Sequence, residues 1–471
     1  MSNRSTDLRN EPHPRRKPGK IVCRILLIFL IYVALGFFLP PLLPVQSETA
    51  LPAFDGTAAG ARVRCIDDNQ EALLWRLRLI DAARESVVLS TYDFSDGESG
   101  KAVMAALLAA SDRGVEVRIL VDGMNGVLHL RGSPAFRALI ARENVEAKFY
   151  NPINLLTPWK SNYHLHDKYL IADDLAFLVG GRNVDEPSLG SGAGRKNADR
   201  DVLVWFADDA DPALLTQFRN YSDSVWELEC SRAQSYRGQS KRVSAAEAEL
   251  YERYRANGTN SFDAVDWRAA TIAADGVSLL VNPVNAGNKA PELWSALRGI
   301  MEDGSDVAIV TPYIILDGDM YGDIASLAEK GGVRFYTNAV SNGANAFGCA
   351  DYLNSKARIL STGAEVYEWQ GDRSLHTKTV LVDDDLSVIG SFNMDMRSAY
   401  LDTELMLVVD CPELNAALRS QLADMAEQSL RNDPDGAVEY GDGYVTVPMS
   451  FGKRAFFAVL RIVIRPFRYL L

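Results

Sequence analysis

Two stretches of the sequence almost repeat each other. Residues 165–183 read "LHDKYLIADDLAFLVGGRN" and residues 375–393 read "LHTKTVLVDDDLSVIGSFN". Both fit the pattern H-x-K-x4-D-x6-G-[GS]-x-N with identical spacing. The matching positions are His166, Lys168, Asp173, Gly180, Gly181 and Asn183 in the first copy, and His376, Lys378, Asp383, Gly390, Ser391 and Asn393 in the second. Because the chain has five histidines in all, two such matches indicate an internal duplication rather than coincidence.

The segments before the two copies support the duplication. Amphipathic helical stretches at 71–84 and 290–303 are each followed by an apolar, strand-like run, at 86–94 and 306–314. Further strands and helices then alternate in both halves. Short and almost continuously apolar strands that alternate with helices are typical of buried sheets covered by helices. We therefore predict an α/β protein with two tandem α/β sandwich domains in a pseudo-two-fold arrangement.

The 471 residues are divided accordingly. This length exceeds what one ordinary hydrophobic core accommodates, which fits two domains. We predict a basic tail and membrane anchor at 1–45, a first domain at 60–230, a connector at 231–274, a second domain at 275–435 and a basic amphipathic tail at 450–471.

The composition narrows the class of protein. The chain is 47% hydrophobic and 24% charged, as globular proteins are, and its formal net charge is −13. An acidic chain is poorly suited to sequence-independent nucleic-acid binding, which depends on Lys and Arg neutralising phosphates. No Cys or His cluster has zinc spacing, so we expect neither a metal nor another cofactor. Whether Cys65, Cys230, Cys349 and Cys411 form two disulfides or remain buried thiols stays open.

The N-terminal segment has the pattern of a membrane anchor. Residues 1–20 carry six Lys or Arg residues against two acidic ones, and the fifteen residues from Ile25 to Leu39 carry no charge. With the tail to Val45, the apolar stretch can just span a bilayer core, which takes about 20 helical residues. Basic residues before the span favour a cytoplasmic N-terminus, with the catalytic domains on the other side. A cleaved signal peptide is the alternative, although no clean cleavage site follows the apolar region.

The C-terminal segment 450–471 is both basic and apolar. From Phe451 onward it holds five Lys or Arg residues and no acidic one, interleaved with aromatic and aliphatic residues. This pattern is typical of a helix in a membrane interface, with its cations at anionic headgroups. The alternative is a terminal helix docked on the protein's own core.

The spacing within each motif favours a phosphate site. Side chains at i and i+2 of a strand project from one face, so His166 pairs with Lys168 and His376 with Lys378. A two-fold arrangement of the domains would bring both pairs to one cleft, around one anion. Lysines and asparagine amides stabilise charge on phosphate oxygens, while one histidine attacks phosphorus and the other transfers protons. Further candidates for lining this cleft are Tyr92, His164 and Tyr313.

The two motifs resemble the paired HKD motifs of the phospholipase D superfamily. The stretches "GGRNVDEPSLG" (180–190) and "GSFNMDMRSAYLDTE" (390–404) are similar to those of bacterial cardiolipin synthases, especially the short cardiolipin synthase C type. The resemblance covers most of residues 60–430 and implies two tandem phospholipase D-like domains.

The resemblance also implies roles for particular residues. His166 would be the nucleophile and His376 the acid and base, and both motif aspartates, Asp173 and Asp383, would organise the strand ends of the catalytic motif. An acidic residue after each motif would hydrogen-bond its histidine, by position Asp201 for His166 and Glu404 for His376. The residues expected at the phosphate are Lys168, Lys378, Asn183, Asn393 and Ser391.

The function implied by the resemblance is a membrane-associated phosphatidyltransferase. It would make cardiolipin from phosphatidylglycerol or phosphatidylethanolamine through a phosphohistidine intermediate. A phospholipase D that uses water as the acceptor is the alternative, because the same site serves both reactions. The acidic body and the two membrane-directed ends disfavour a nuclease, and two intact motifs disfavour an inactive scaffold. We expect a single-pass protein of a bacterial cell membrane with extracytoplasmic catalytic domains, and the sequence leaves its oligomeric state open.

Overall fold

The first half of the chain builds one large sheet. The computed structural model describes residues 18–43, 45, 60–207, 210–238, 240–261 and 265–471. Residues 1–17 of the predicted basic tail therefore lie outside the described residues. The strands of this half are β1 (Ala61–Ile66), β2 (Ser86–Thr91), β3 (Glu116–Asp122), β4 (Val145–Tyr150), β5 (Tyr169–Ala172), β6 (Ala176–Gly180), β7 (Asn197–Ala198), β8 (Asp201–Phe206), β9 (Ser231–Gln234) and β10 (Ile272–Ala273). All of these except β7 form a sheet in the order β10-β1-β8-β6-β5-β2-β3-β4-β9. Strands β2, β3 and β4 run parallel, and β5, β6 and β8 extend the sheet by antiparallel pairing.

The second half repeats this topology. Its strands are β11 (Gly276–Val281), β12 (Asp306–Val310), β13 (Ile314–Ile315), β14 (Gly332–Asn338), β15 (Glu365–Trp369), β16 (Ser374–Leu375), β17 (Thr379–Val382), β18 (Leu386–Gly390), β19 (Met394–Asp395), β20 (Leu405–Asp410), β21 (Ser429–Asn432) and β22 (Val438–Tyr440). The large sheet has the order β11-β20-β18-β17-β12-β14-β15-β21-β22. Strands β12, β14 and β15 take the places of β2, β3 and β4, and β17, β18 and β20 those of β5, β6 and β8. The predicted α/β fold with two tandem halves is therefore confirmed.

Helices cover the outer face of each sheet. The α-helices are α1 (Pro18–Phe38), α2 (Asn69–Ala82), α3 (Glu98–Asp112), α4 (Gly123–Asn125), α5 (Pro134–Leu139), α6 (Glu186–Leu189), α7 (Ala213–Trp226), α8 (Lys241–Ser261), α9 (Trp267–Ala270), α10 (Glu292–Glu302), α11 (Gly318–Lys330), α12 (Ala346–Leu360), α13 (Met396–Tyr400), α14 (Pro412–Glu427) and α15 (Phe451–Val463). Apolar residues of α2, α3, α5 and α8 form the outer core of the first half. Those of α10, α11 and α12 do the same in the second half.

The inner faces of the two sheets share one hydrophobic core, to which helices α7 and α14 also contribute. Their shared core contains Ile171 and Val202 from the first sheet and Leu381 and Leu407 from the second, all almost fully buried. Short strand β7 pairs in parallel with β16 across this interface. An isolated bridge joins Leu165 to Thr403 in the same way. These two crossings bring the repeated stretches of the two halves together.

The segment predicted as a connector at 231–274 is part of the first half. Its first residues form edge strand β9, which pairs with β4, and its last residues form edge strand β10, which pairs with β1. Helix α8 lies between them in sequence and packs on α3, where Lys101 and Glu249 form an ion pair at 2.9 Å. Leu250 of α8 is fully buried in the outer core. The segment therefore packs as an integral part of the first sheet and its helices.

Helix α1 is apolar and exposed. Residues Lys20–Leu42 have a mean hydropathy of 2.7 over their most apolar window, and none of that window is buried inside the protein. Within the described residues this is the one helix long and apolar enough to cross a membrane.

Helix α15 and the residues that follow it, 464–471, combine the two alternatives that the sequence left open. Phe457 and Ile464 are buried in the outer core of the second half. Arg461 donates to Oδ1 of Asn354 at 2.9 Å, and Arg468 pairs with Asp351 at 2.8 Å. Contrary to the expectation for an interfacial helix, these two cations bind the protein itself. The opposite face of the helix presents apolar side chains to the surroundings, among them Phe456, Val459 and Ile462, which are 52%, 63% and 68% exposed.

Candidate active site

Each motif histidine lies in extended chain immediately before a buried strand. His166 and Lys168 lead into β5, and His376 and Lys378 lead into β17. The Lys168 ammonium donates to the backbone carbonyl of His166 at 2.6 Å, and Lys378 donates to that of His376 in the same way. Both lysine side chains are almost fully buried. Each lysine is thus fixed next to the imidazole of its own motif.

The two histidine–lysine pairs share one cleft. Burial lowers the pKa of His166 well below its usual value, and the charges of Lys168 and Lys378 lower it further. Burial also lowers the pKa of His376, with Lys378 the next contributor and Lys168 acting in the same direction. Because each lysine acts electrostatically on the histidine of the other half, the structure brings the four side chains together around one space.

A carboxylate from the opposite half holds each imidazole. Nδ1 of His166 lies 2.7 Å from Oε1 of Glu404, and Nδ1 of His376 lies 2.6 Å from Oδ2 of Asp199. The predicted pairing of Glu404 with His376 is therefore wrong. With Nδ1 bound to a carboxylate, the tautomer is fixed and Nε2 is the nitrogen that can react with a substrate. The Nε2 of His376 also lies 3.3 Å from the Lys378 ammonium.

The crossings between the sheets explain this exchange. The bridge from Leu165 to Thr403 brings the next residue, Glu404, to His166. Pairing of β7 with β16 brings the residue after β7, Asp199, to His376, whose backbone N–H donates to the carbonyl of Ala198 at 2.8 Å. Each histidine is consequently completed by the half that does not contain it.

Asp201, which the sequence analysis assigned to His166, serves a structural ion cluster. It is the first residue of β8 and is fully buried. Its Oδ2 accepts from Arg76 at 2.8 Å and from Arg182 at 3.3 Å. A buried carboxylate needs cationic partners, and two guanidinium groups supply the charge here, although Oδ1 of Asp201 has no hydrogen-bond partner among the described residues. The prediction that Asp201 orients His166 is wrong.

The two orienting carboxylates are held differently. Ser391 and Ser398 both donate their hydroxyls to Glu404, Ser398 at 2.6 Å. Ser391 was predicted at the phosphate, but it is fully buried and its hydroxyl is directed at Glu404. At the equivalent position in the first motif, a Cβ on Gly181 would lie 2.2 Å from Oδ1 of Asp199. At the second position of Gly-[Gly/Ser], Ser391 therefore hydrogen-bonds its carboxylate, and Gly181 leaves room for the other one.

The electrostatic environments of the carboxylates differ as well. Burial raises the pKa of Glu404 well above its usual value, while the charge of Lys168 and the two serine hydroxyls oppose this shift. Burial acts on Asp199 in the same direction, but the charges of His376 and Lys378 outweigh it and hold the pKa of Asp199 below its usual value. Asp199 is thus the more firmly ionised of the two.

The two motif asparagines differ in their hydrogen bonding. Oδ1 of Asn183 accepts from the backbone N–H of Asp93 at 3.3 Å. Asn393 is 4% exposed, and among the described residues its Oδ1 has no hydrogen-bond partner. A buried amide with an unused acceptor is uncommon and is consistent with a group that completes its bonding when a ligand binds.

The motif aspartates lie at the far end of the strands. Asp173 and Asp383 have φ angles of 45° and 44°, in the left-handed region, and each forms the turn after β5 or β17. Asp173 accepts from the backbone N–H of Ser86 at 2.7 Å, and Asp383 accepts from that of Asp306 at 2.9 Å. Each aspartate follows its histidine by seven residues, which is about 23 Å of extended chain. These carboxylates tie the turn to the start of the neighbouring strand and are remote from the cleft.

Aromatic and polar side chains complete the cleft. The Tyr92 ring lies 5.4 Å from that of His166 and 6.1 Å from that of His164. Burial raises the pKa of Tyr92 to about 12, so its hydroxyl stays protonated. Nδ1 of His164 lies 2.9 Å from Oδ2 of Asp122, a partner that the sequence analysis missed. Beside His376 is a cavity of about 250 Å³, which Tyr313 also lines.

Among the described residues, no group of three or more His, Cys, Asp or Glu side chains is arranged to hold a metal ion. The described residues supply this site with two imidazoles, two buried ammoniums and an amide.

Comparison with known proteins agrees with this geometry. Residues 77–226 and 297–426 match a family described as "Cardiolipin synthase, PLD-like domain". Cardiolipin synthase C of Escherichia coli K12 is 24% identical over 434 residues, which cover 80% of this chain and 88% of that protein. Cardiolipin synthase A of Klebsiella pneumoniae strain 342 is 25% identical over 383 residues, covering 80% of this chain and 70% of that protein.

A further relative and a solved structure extend the comparison. An uncharacterised protein of Helicobacter pylori 26695 is 28% identical over 410 residues, covering 77% of this chain and 79% of that protein. The crystal structure of phosphatidylserine synthase from Haemophilus influenzae Rd KW20 superposes with a TM-score of 0.61 at 16% identity, covering 87% of this chain and 95% of that one. At this identity the superposition establishes the likeness of the fold, over both halves.

Proposed function

This chain belongs to the cardiolipin synthase, PLD-like domain family, and from that premise we propose that it is a membrane-associated phosphatidyltransferase that makes cardiolipin. The observation that carries the proposal is the pair of histidines in one cleft, each bound at Nδ1 by a carboxylate of the opposite half. Two imidazoles held at Nδ1 suit a reaction in two displacements, in which the Nε2 of one attacks phosphorus and the Nε2 of the other transfers protons.

In the first displacement His166 is the nucleophile. Its Nε2 attacks the phosphorus of phosphatidylglycerol, and the bond between phosphorus and the headgroup oxygen breaks. The protonated His376 gives its Nε2 proton to that oxygen, so that glycerol leaves. The product is a phosphatidyl group bound to His166 through a phosphorus–nitrogen bond. With phosphatidylethanolamine as donor, the same step releases ethanolamine.

In the second displacement His376 is the base. It takes the proton from a headgroup hydroxyl of a second phosphatidylglycerol, and that oxygen attacks phosphorus. The phosphorus–nitrogen bond breaks, cardiolipin leaves, and both histidines return to their starting states. Lys168, Lys378 and the motif amides stabilise the negative charge on the phosphate oxygens in both displacements.

The choice between the histidines rests on their carboxylates. Lowering of the pKa of His166 well below its usual value keeps this imidazole neutral, with the Nε2 lone pair that a nucleophile needs. Burial lowers the pKa of His376 as well, but less than that of His166, because the ionised Asp199 beside it opposes the shift and favours the imidazolium form that an acid needs. This asymmetry supports His166 as nucleophile and His376 as acid and base.

The membrane is the proposed location of the reaction. Helix α1 would anchor the chain with residues 1–20 in the bacterial cytoplasm and the catalytic halves outside it, because basic residues precede the span. The apolar face of α15 would lie against the same membrane. Phe467 of the C-terminal segment supports this arrangement, since its ring lies 4.7 Å from that of Phe38 at the end of α1.

The test is product analysis with full-length protein in vesicles of phosphatidylglycerol. The wild type is expected to release glycerol and accumulate cardiolipin, and His166→Ala and His376→Ala are expected to make none. Production of phosphatidic acid without cardiolipin would identify water as the acceptor and make the protein a phospholipase D. Cardiolipin formation by either histidine variant at the wild-type rate would contradict the two-histidine mechanism.

A further inference from the structure

We propose that the loop formed by residues 152–160 is inserted into the membrane beside α1, where it holds the catalytic cleft at the lipid surface. The loop lies between β4 and the extended chain that carries His164 and His166. Its sequence, "PINLLTPWK", contains no acidic residue. The inference rests on the proposed crossing of the membrane by α1.

The first argument is exposure. Ile153, Leu155, Leu156 and Trp159 are 49%, 53%, 70% and 42% exposed. Four large apolar side chains in one short loop form a patch that water does not stabilise, and such patches mark binding surfaces. The adjacent Trp159 and Lys160 are residue types that favour the boundary between lipid and water.

The second argument is depth. The Tyr32 hydroxyl donates to the carbonyl of Leu156 at 2.7 Å, and the Tyr32 and Trp159 rings lie 6.4 Å apart. Tyr32 precedes the end of α1 at Phe38 by six residues, which is about 9 Å of helix. If α1 spans the bilayer, a loop bound at Tyr32 lies within the same leaflet as the last turns of the helix.

The third argument is that the loop and helix fit closely. A Cβ on Gly36 would lie 2.4 Å from Cγ of Pro158, so the contact requires glycine at this position. Asn162 donates its side-chain amide to the carbonyl of Phe37 at 2.6 Å. Small residues that allow close approach are the usual means by which segments pack together in membranes. The fixed contact transmits the position of α1 directly to the chain that leads to His166.

The bilayer is therefore the occupant that the surface fits, because the apolar patch continues the lipid-facing surface of α1. In this position the cleft opens at the leaflet that contains the C-terminal end of α1. Lipid headgroups then reach the histidines without leaving that leaflet.

The experiment is fluorescence quenching on the full-length protein in nanodiscs of phosphatidylglycerol and phosphatidylcholine. A polarity-sensitive label is attached to Leu156→Cys, in a background with Ser in place of Cys23, Cys65 and Cys230. Cys349 and Cys411 remain, because both are buried and burial raises the pKa of their thiols. Ile28→Cys in α1 serves as the lipid control, and Val445→Cys serves as the water control. The wild-type side chains at these positions are 67% and 65% exposed.

The expected result is that spin-labelled lipid quenches the label at position 156 as it does at position 28, while aqueous iodide quenches only the label at position 445. Quenching at position 156 by iodide, with position 28 still quenched by lipid, would overturn the inference and leave the anchor intact. Absence of lipid quenching at position 28 would overturn the anchor and the inference together. Shielding of position 156 from both quenchers would mean that protein covers the loop, for instance a second copy of the chain, and would also overturn the inference.

Discussion

Exchange of the carboxylates between the halves predicts different effects for two similar substitutions. Glu404→Gln removes the charge from the partner of His166, and Asp199→Asn removes it from the partner of His376. As His166 attacks phosphorus its imidazole gains positive charge, so its 2.7 Å bond to Glu404 is charge-assisted in that transition state, and the 2.6 Å bond of protonated His376 to Asp199 is charge-assisted before proton transfer. Each substitution leaves a neutral hydrogen bond in its place. Charge-assisted bonds contribute about 1.5–3 kcal/mol. Loss of this stabilisation from a transition state slows the affected step roughly 10- to 150-fold.

The assay separates the two displacements with an activated donor. In p-nitrophenyl phosphatidate the leaving group departs without a proton, so the first burst of nitrophenolate depends on the nucleophile and not on the acid. Glu404→Gln is expected to slow this burst by the stated factor, and Asp199→Asn is expected to leave its rate unchanged. With phosphatidylglycerol as donor, both variants are expected to be slow. Thermal unfolding of each variant checks that the fold is retained.

The reverse pattern would refute this reasoning. If Asp199→Asn slowed the burst and Glu404→Gln did not, then either His376 would be the nucleophile or each carboxylate would serve the histidine of its own half. Equal slowing by both substitutions would mean that the carboxylates act on one step together.

Three further predictions follow from the geometry. Burial lowers the pKa of Lys168 to about 8, so kcat/KM is expected to fall as pH rises through about 8 and the ammonium loses its charge. The guanidinium of Lys168→Arg stays charged, so the pH profile of this variant is expected to lack the alkaline fall. Gly181→Ala is expected to displace Asp199 and lower kcat by roughly 10- to 100-fold, measured as cardiolipin formed, and unchanged kcat would contradict the role of the gap at this glycine. Asp201→Asn is expected to lower the free energy of unfolding, measured by urea denaturation, by about 3–5 kcal/mol, because it breaks a buried ion cluster. A loss of activity per folded molecule without a loss of stability would contradict the structural role of Asp201.

The repeated pattern was sufficient to predict the fold and the histidine–lysine pairs. Identical spacing in both halves fixes which residues begin the buried strands, and strand periodicity then puts histidine and lysine together. The duplication also predicted that the two sheets would have the same topology. These features depend on local sequence, which is why they could be predicted without knowledge of the packing.

The carboxylate partners could not be predicted in the same way, because they depend on how the two halves pack. Position along the chain suggested that each half completes its own histidine, but the crossings at β7 and at Leu165 exchange the partners. The sequence does contain a signal for Asp199. Aligning "DRDVLV" (199–204) with "ELMLVV" (404–409) places Asp199, not Asp201, opposite Glu404, in agreement with the pairing of Gly180 with Asp201 and of Gly390 with Met406.

The edge strands β9 and β10 were missed for a different reason. Strand β9 reads "SRAQ", and β10 has only two residues, so neither shows the alternation of apolar residues that predicts a strand. Their pairing is determined by the exposed edges of the sheet, which the sequence of the segment does not reveal. The same holds for α15, where only the packing distinguishes the cations that bind the protein from those that remain exposed.

The central claim, a composite site in which His166 carries the phosphatidyl group, is tested most directly by trapping that intermediate. His376→Asn retains the nucleophile but lacks the base for the second displacement, so reaction with p-nitrophenyl phosphatidate should accumulate a covalent phosphatidyl adduct. Mass spectrometry of peptides from protein kept at alkaline pH, where phosphorus–nitrogen bonds persist, locates the adduct. We predict the adduct on His166 in His376→Asn and no adduct in His166→Asn. An adduct on His376 in the His166 variant, or turnover by His376→Asn with no adduct on His166, would contradict the account.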